Sequence, residues 1–201
     1  MIGNDVVDLR VVESRPRNAR FDARVMASLE QDALRASEAP ERLRWVFWAA
    51  KEAAYKAARQ LDDDTVFSPS RFVVKLDSTG QGTGEVEHEG RRFALLFEAD
   101  AERVHAVARK MELPSGAIAS RVRAFEGPRD SEQQSLEVRQ LAIELLSGWL
   151  GKEPAALAIH REGRIPTLRV SGLQSAVRIS LSHHGRFVAA ACGRCGWSEG
   201  A

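Results

Sequence analysis

The chain predicts an α+β protein made of two similar halves, each pairing one long helix with several antiparallel strands. Two observations carry this. Pro40–Leu61 and Ser131–Leu150 both place apolar residues at helical spacing over several turns. Between and after them run short segments that alternate apolar with polar residues and are punctuated by turn-forming glycines.

Pro40–Leu61 is rich in alanine and has no glycine, which favours a helix. At about 100° per residue, Leu43, Phe47, Ala50, Ala54, Ala58 and Leu61 share one side and form a core stripe. Trp45, Trp48, Glu52, Lys56 and Arg59 share the other. A solvated face rarely spends tryptophan, so another part of the chain or a ligand must cover it.

In chain order, Ile2–Leu9 reads as a strand in which Gly3 permits a close backbone approach. Asp5 inside that strand is costly unless it is paired, binds a cation or caps a turn, and Asp8 also fits the capping role. Arg10–Arg20, interrupted by Pro16, reads as a loop, and Phe21–Ala36 as one helix. Asp62-Asp63-Asp64 ends the long helix. Carboxylates in a continuous run point in different directions, so a solvated helix end is expected there rather than a metal site. Strands follow at Arg71–Leu76, Gly84–His88, Arg91–Phe97 and Arg103–Arg109, with Glu89-Gly90 as a tight turn and with His88 and His105 on strand surfaces. Prolines and glycines between Leu113 and Pro128 mark the division, which places the halves at residues 1–126 and 127–201. Ser131–Leu150 offers Leu136, Val138, Leu141, Ile143, Leu145 and Leu146 to a core and stops at Gly151. Ala156–His160 and Thr167–Val170 flank a turn at Gly163–Pro166. Val177–Ser182 turns at His183-His184-Gly185 and returns as Phe187–Cys192.

Apolar content of 44% and charged content of 28% are those of a globular protein, and a net charge of +1 gives no bulk attraction for nucleic acid or a membrane surface. No apolar run approaches the roughly 18 residues of a membrane span. Met-Ile-Gly-Asn-Asp does not open a signal peptide, so a cytoplasmic location is expected. Cys192 and Cys195 form a C-x-x-C pair with no second pair to complete a zinc site and little chain left to form a redox helix, and are expected to be reduced surface thiols.

The residues that can carry chemistry are Asp5, Glu52 with Lys51 and Lys56 beside it, and Ser182-His183 at a strand end. Two separated carboxylates suit a hard divalent cation. Lysines suit phosphate oxygens, and a histidine at a turn can bind a phosphate or move a proton. Together they describe metal-assisted chemistry on a phosphate ester or anhydride. Glu52 and Lys56, four residues apart, also fit a plain surface ion pair.

Ile2-Gly3-Asn4-Asp5-Val6-Val7-Asp8, followed by Phe47-Trp48-Ala49-Ala50-Lys51-Glu52-Ala53-Ala54-Tyr55-Lys56, resembles the signature of the 4′-phosphopantetheinyl transferases. That signature is G-x-D and then (F/W)-x-x-K-E-x-x-x-K. Ser180-Leu181-Ser182-His183 resembles the family's Ser-His element. Gly163–Pro166 resembles the Gly-Lys-Pro turn of the larger, surfactin-type members, with Ile165 inserted and Arg164 in place of lysine. The resemblance implies transfer of the phosphopantetheine arm of coenzyme A to a serine of an apo carrier protein, with release of 3′,5′-ADP. It implies that Asp5 and Glu52 hold Mg²⁺ on the pyrophosphate, that Glu52 also serves as base, and that Lys51, Lys56, His183, Ser182 and Arg164 bind or shape the coenzyme A site.

Two features depart from the larger members. Their further acid, two positions after the first aspartate, is here Val7, so a water would replace that ligand; Asp8, three residues on, points to the other face of a regular strand. The Ser-His half also follows the G-x-D half, which is the order of the short holo-acyl-carrier-protein synthases. This chain is longer than those trimeric enzymes, and the expectation is a monomer whose halves are related by a pseudo-twofold, with the site and the two tryptophans at their junction. Carrier proteins of this kind are acidic, and Arg15, Arg17, Arg20 and Arg24 are the candidates for a basic docking patch, or else a solvated arginine-rich loop. A non-catalytic carrier-protein-binding relative, favoured by Val7, and an unrelated metal-dependent phosphohydrolase are the competing readings.

Overall fold

The structure, a computed structural model, describes residues 1–13, 19–77, 82–111, 117–127 and 129–194. The first half runs β1 (Ile2–Asp8), α1 (Leu9–Glu13), α2 (Ala19–Val25), α3 (Ser28–Ala36), α4 (Pro40–Arg59), β2 (Val73–Leu76), β3 (Thr83–His88), β4 (Arg91–Ala99) and β5 (Arg103–Lys110). The second runs β6 (Ile118–Ala124), α5 (Ser131–Leu150), β7 (Leu157–Glu162), β8 (Ile165–Val170), β9 (Leu173–His184) and β10 (Phe187–Arg194). The strands form two antiparallel five-stranded sheets, ordered β1-β5-β4-β3-β2 and β6-β10-β9-β8-β7. Position for position the two orders are the same, and in both a long helix follows the edge strand. The chain is therefore α+β with two similar halves.

Strand β6 corrects the expected division at residue 126. It pairs with β10, from Phe187 opposite Ala124 to Gly193 opposite Ile118, so sheet membership changes between Lys110 and Ile118. The segment was hidden because its exposed Arg121 and half-buried Arg123 break the apolar alternation. Residues 9–13 are helical rather than loop, and the expected helix over residues 21–36 is two helices. The break is at Met26–Ala27, where Ala27 is extended and its amide donates to Glu30 Oε2 at 2.8 Å. The turn at Glu89-Gly90 has positive φ at both residues, 49° and 76°, as a two-residue hairpin loop requires.

Helix α4 packs on the first sheet through a wall of alanine: Ala49, Ala50, Ala53, Ala54, Ala57 and Ala58 are all fully buried. This face is wider than one stripe, and Leu61, past the helix end, is 38% exposed instead of joining it. Small side chains let the helix backbone come down onto β1. A Cβ at Gly3 would lie 1.9 Å from the carbonyl oxygen of Ala53, so only glycine fits. Helix α5 packs on the second sheet through Val138, Leu141, Ala142, Leu145 and Leu146, whereas Leu136 is 68% exposed. Its ends follow the sequence: Asp130 accepts from the Gln133 amide at 2.8 Å, and Gly151 takes the left-handed conformation.

The halves meet along β1. Ile2 and Val107 pack with Ala191, and Val6 packs with Phe187 and Ala189. His88 and His105, expected on surfaces, are buried. His88 stacks on Phe72 with ring centroids 3.8 Å apart. Cys192 is buried in the second core, and desolvation pushes its thiol up to about 12, so it is an inert core residue and not a surface thiol; Cys195 lies outside the described residues. Among the described residues no helix is long and apolar enough to cross a membrane.

Replacing Gly3 by alanine will force β1 off α4. The expected cost is at least about 3 kcal/mol, read as a lowered urea midpoint or as loss of folded protein.

Candidate active site

Asp5 sits at the middle of β1 and Glu52 on α4 above it. Both line a cleft of about 350 Å³ whose walls come from the two halves: Val7, Trp45, Trp48 and Lys56 from the first, Leu181, Ser182, His183 and His184 from the second. The expectation that the tryptophans lie at the junction is met on one side only. Trp45 and Trp48 border the cleft, but their rings are held within the first half by Phe21, at 5.7 and 5.6 Å, and by Phe67, at 5.8 Å from Trp48.

Asp5 is the hub. Its Oδ1 accepts from Lys56 Nζ at 2.8 Å and from Ser182 Oγ at 2.8 Å, and Lys56 also donates to the Asn4 carbonyl at 2.9 Å. One carboxylate oxygen thus ties strand, helix and second half together. Glu52 is partly buried beside Asp5. Desolvation first, and the Asp5 charge second, push its pKa up to about 7, with Lys56 pulling the other way. Desolvation and then the positive charge of Lys56 lower the pKa of His183, which keeps the ring neutral at pH 7. Behind Asp5, His105 is pushed down to about 4 by burial and lies 3.4 Å from Asn4 Nδ2.

These groups fit a divalent cation. Two carboxylates face one cleft, one of them held near half-protonated by burial first and by the charge of the other second, and a hard cation would offset both through oxygen donors. Val7 offers no third oxygen. Asp8 does not replace it: its carboxylate is fully buried, taking Arg186 Nη2 at 3.0 Å and Arg186 Nε at 3.0 Å. Asp62, Asp63 and Asp64 are exposed and, against the expectation that carboxylates in a continuous run diverge, one oxygen of each lies within 4.8 Å of the others, but none of the three lines this cleft.

Lys51 requires a correction. Its side chain is fully buried on the far side of α4 and does not line the cleft. Its ammonium meets Glu30 at 2.7 Å and donates to the Pro69 carbonyl at 3.1 Å and to the Phe72 carbonyl. Glu30 Oε1 in turn accepts from the Val74 amide at 2.7 Å. The physical reason is helical spacing: adjacent residues on a helix diverge by about 100°, so Lys51 and Glu52 cannot face one ligand. Glu30 was not legible as its partner, because nothing local connects positions 21 residues apart.

Arg164 lines a neighbouring cleft of about 260 Å³ with Arg59, Arg161 and Tyr55. Lys56 and Leu181 border both clefts, so the two are continuous in their walls. Of the expected basic patch, Arg20 and Arg24 are exposed on α2, and Arg15 and Arg17 lie outside the described residues.

Residues 1–109 match the 4′-phosphopantetheinyl transferase superfamily. The chain belongs to that superfamily. The match spans β1 and α4, and with them the G-x-D and K-E-x-x-x-K segments that border the cleft. No curated protein matches the sequence. Among solved structures, the holo-[acyl-carrier-protein] synthase of Thermotoga maritima is similar over 86% of this chain and 83% of its own, with 14% identity and a TM-score of 0.41.

Two outcomes follow for this member of the superfamily. A raised carboxyl pKa stabilises the fold below the unfolded value of 4.5, and that stability is lost as pH rises towards about 7. In chelator, Glu52→Gln will therefore raise the thermal midpoint at pH 8 by about 5 °C, and the gain will shrink as pH falls from 7 towards 4.5. Lys51→Ala strands the buried Glu30 carboxylate and will cost about 3–5 kcal/mol in chemical denaturation, with Lys51→Met costing less.

Proposed function

We propose that this protein transfers the 4′-phosphopantetheine arm of coenzyme A to a serine of an apo carrier protein, as a Mg²⁺-dependent, cytoplasmic monomer that releases 3′,5′-ADP. The observation that carries the reading is the joining of Asp5, Glu52 and Lys56 from one half with Ser182 and His183 from the other in one cleft. Superfamily membership supports the transfer itself. A single chain supplies both walls, which supports a monomer.

Asp5 and Glu52 would hold the ion, which when bound offsets negative charge on the pyrophosphate. Lys56 binds phosphate oxygens while its contact with Asp5 keeps it in place. Neutral His183 donates an N–H to a phosphate from the opposite wall, and Ser182 orients Asp5. Arg164 and its neighbours receive the remaining anionic part of coenzyme A in the adjoining cleft. The carrier serine oxygen bonds to the phosphorus that bears the pantetheine arm, the phosphoanhydride bond breaks, and 3′,5′-ADP leaves. Glu52, directly or through a water, takes the serine proton. Lys51 has no part in this, since its ammonium is spent on Glu30.

Val7 favours a second reading, a carrier-protein-binding relative without catalysis. Intact mass separates the two. Apo carrier proteins of fatty-acid, polyketide and peptide synthases, incubated with the protein, coenzyme A and Mg²⁺, should gain one phosphopantetheine arm. Chelator should abolish the gain, and Glu52→Ala should slow it about 10²–10⁴-fold. Binding without any mass gain across the panel would establish the second reading. Lys56→Ala should weaken coenzyme A binding at least about tenfold while leaving the fold intact, measured by calorimetry.

A further inference from the structure

Strand β1 ends the first sheet, and among the described residues no strand pairs with its outer edge. Four amides point to that side, and every one donates to a side chain. Ile2 N donates to Gln60 Oε1 at 3.1 Å, Asn4 N to Ser180 Oγ at 2.9 Å, Val6 N to Ser182 Oγ at 3.2 Å and Asp8 N to His184 Nδ1 at 2.9 Å. The last three acceptors are alternate residues of β9, taken in the same direction as β1. Gln60 completes the set by donating from Nε2 to the Ile179 carbonyl at 2.9 Å. β9 thus covers the edge of β1 with side chains where a neighbouring strand would offer carbonyls.

We propose that Ser180 and His184, with Gln60, are positioning residues for phosphopantetheinyl transfer. They hold β9 in one register along β1 and so keep Ser182 on Asp5 and His183 in the cleft. The proposal rests on the transferase reading for its catalytic consequence and on geometry for the clamp.

The side chains admit one register. A slip of one residue would turn the acceptors to the other face of β9. A slip of two would bring Arg178 or Arg186 opposite an amide of β1, and arginine has no acceptor to offer. That slip would also carry Ser182 about 6.6 Å along the strand, out of reach of Asp5. Because Ser182 Oγ accepts from Val6 N and donates to Asp5 Oδ1, register error passes directly to the carboxylate at the centre of the site. His184 can take its rung only with Nδ1 free of a proton, and the hydroxyl of Ser180 takes its rung as acceptor.

The test compares Ser180→Ala and His184→Leu, which remove an acceptor, with Ser180→Thr and His184→Asn, which keep one. Two quantities are read in each: amide hydrogen exchange at Asn4 and Asp8 by NMR, and kcat and KM for coenzyme A in carrier-protein modification. Ser180→Ala should speed exchange at Asn4, and His184→Leu at Asp8, by at least about tenfold. Both should lower kcat about tenfold or more, because the reacting groups are misaligned, while KM for coenzyme A rises by no more than about tenfold, the loss of the single His183 hydrogen bond to phosphate, because Lys56 is untouched. The acceptor-keeping variants should restore both quantities. Should His184→Leu fail to fold, Ser180→Ala carries the test. Wild-type kcat in the folded acceptor-free variants, or a loss that Ser180→Thr and His184→Asn do not restore, would overturn the proposal. If the wild-type protein transfers nothing, the transferase reading falls, and exchange alone decides the clamp: unchanged protection at Asn4 and Asp8 overturns it.

Discussion

Strand β1 is buried along its whole length, and the rest of the molecule is arranged to make that burial tolerable. A buried backbone amide left without an acceptor costs about 1–3 kcal/mol, so a seven-residue strand can be enclosed only if both of its edges find partners. One edge pairs with β5 over its full length. The other is closed by side chains from β9 and by Gln60, which caps α4. One face accepts the backbone of α4 at Gly3, and the other accepts Val6 against Phe187 and Ala189. Asp5 emerges from the middle of this enclosed strand, where it is held by a lysine and a serine from two different elements. The site is precise because the strand that bears it has no freedom left.

Two ion pairs around this strand do different work. Lys51 and Glu30 are completely buried and join α3 and α4, and through the Val74 amide β2, so the pair organises the first half from inside. Both ions have further hydrogen-bond partners, which is the condition under which a buried pair offsets its desolvation. Asp8 and Arg186 join the halves instead. Burial raises the Asp8 pKa, the hydrogen bonds of Arg186 lower it, and the net position is below the ordinary carboxylate range. That pair and the turn glycine Gly185, where a Cβ would strike the Asp8 carboxylate, anchor the end of β9 next to the cleft. The motif lysine and the motif glutamate are therefore placed apart: one is spent in the core, the other lines the cleft.

The elements that could be read from the chain are those whose own residues carry the signal. Helix α5 appears with both ends in place because Asp130 and Gly151 are local caps. The hairpin at Glu89-Gly90 appears because only a glycine-bearing turn suits that connection. The cleft residues Asp5, Glu52, Lys56, Ser182 and His183 stand out through motifs that resemble those of the phosphopantetheinyl transferases, since residue type alone leaves Glu52 and Lys56 readable as a surface ion pair. Strand β6 was not, because its arginines blur the alternation, and its place in the second sheet rests on pairing with β10 some 70 positions later. His88 and His105 were misplaced for a related reason: strand alternation distinguishes two faces but does not reveal whether a second layer covers the polar one.

The sequence by itself determined the two-half α+β plan, the strand that bears Asp5 with a close backbone approach at Gly3, and the helix that bears Glu52, since periodicity, capping and residue size act over a few positions. Only the tertiary structure decided that Lys51 turns inward to Glu30, that the tryptophans are braced by Phe21 and Phe67, and that β9 seals the edge of β1 with Ser180, Ser182 and His184. Those choices depend on groups tens to more than a hundred residues apart. Each is settled by the requirement that a buried charge or amide find its partner, a requirement that acts only once the chain has closed on itself.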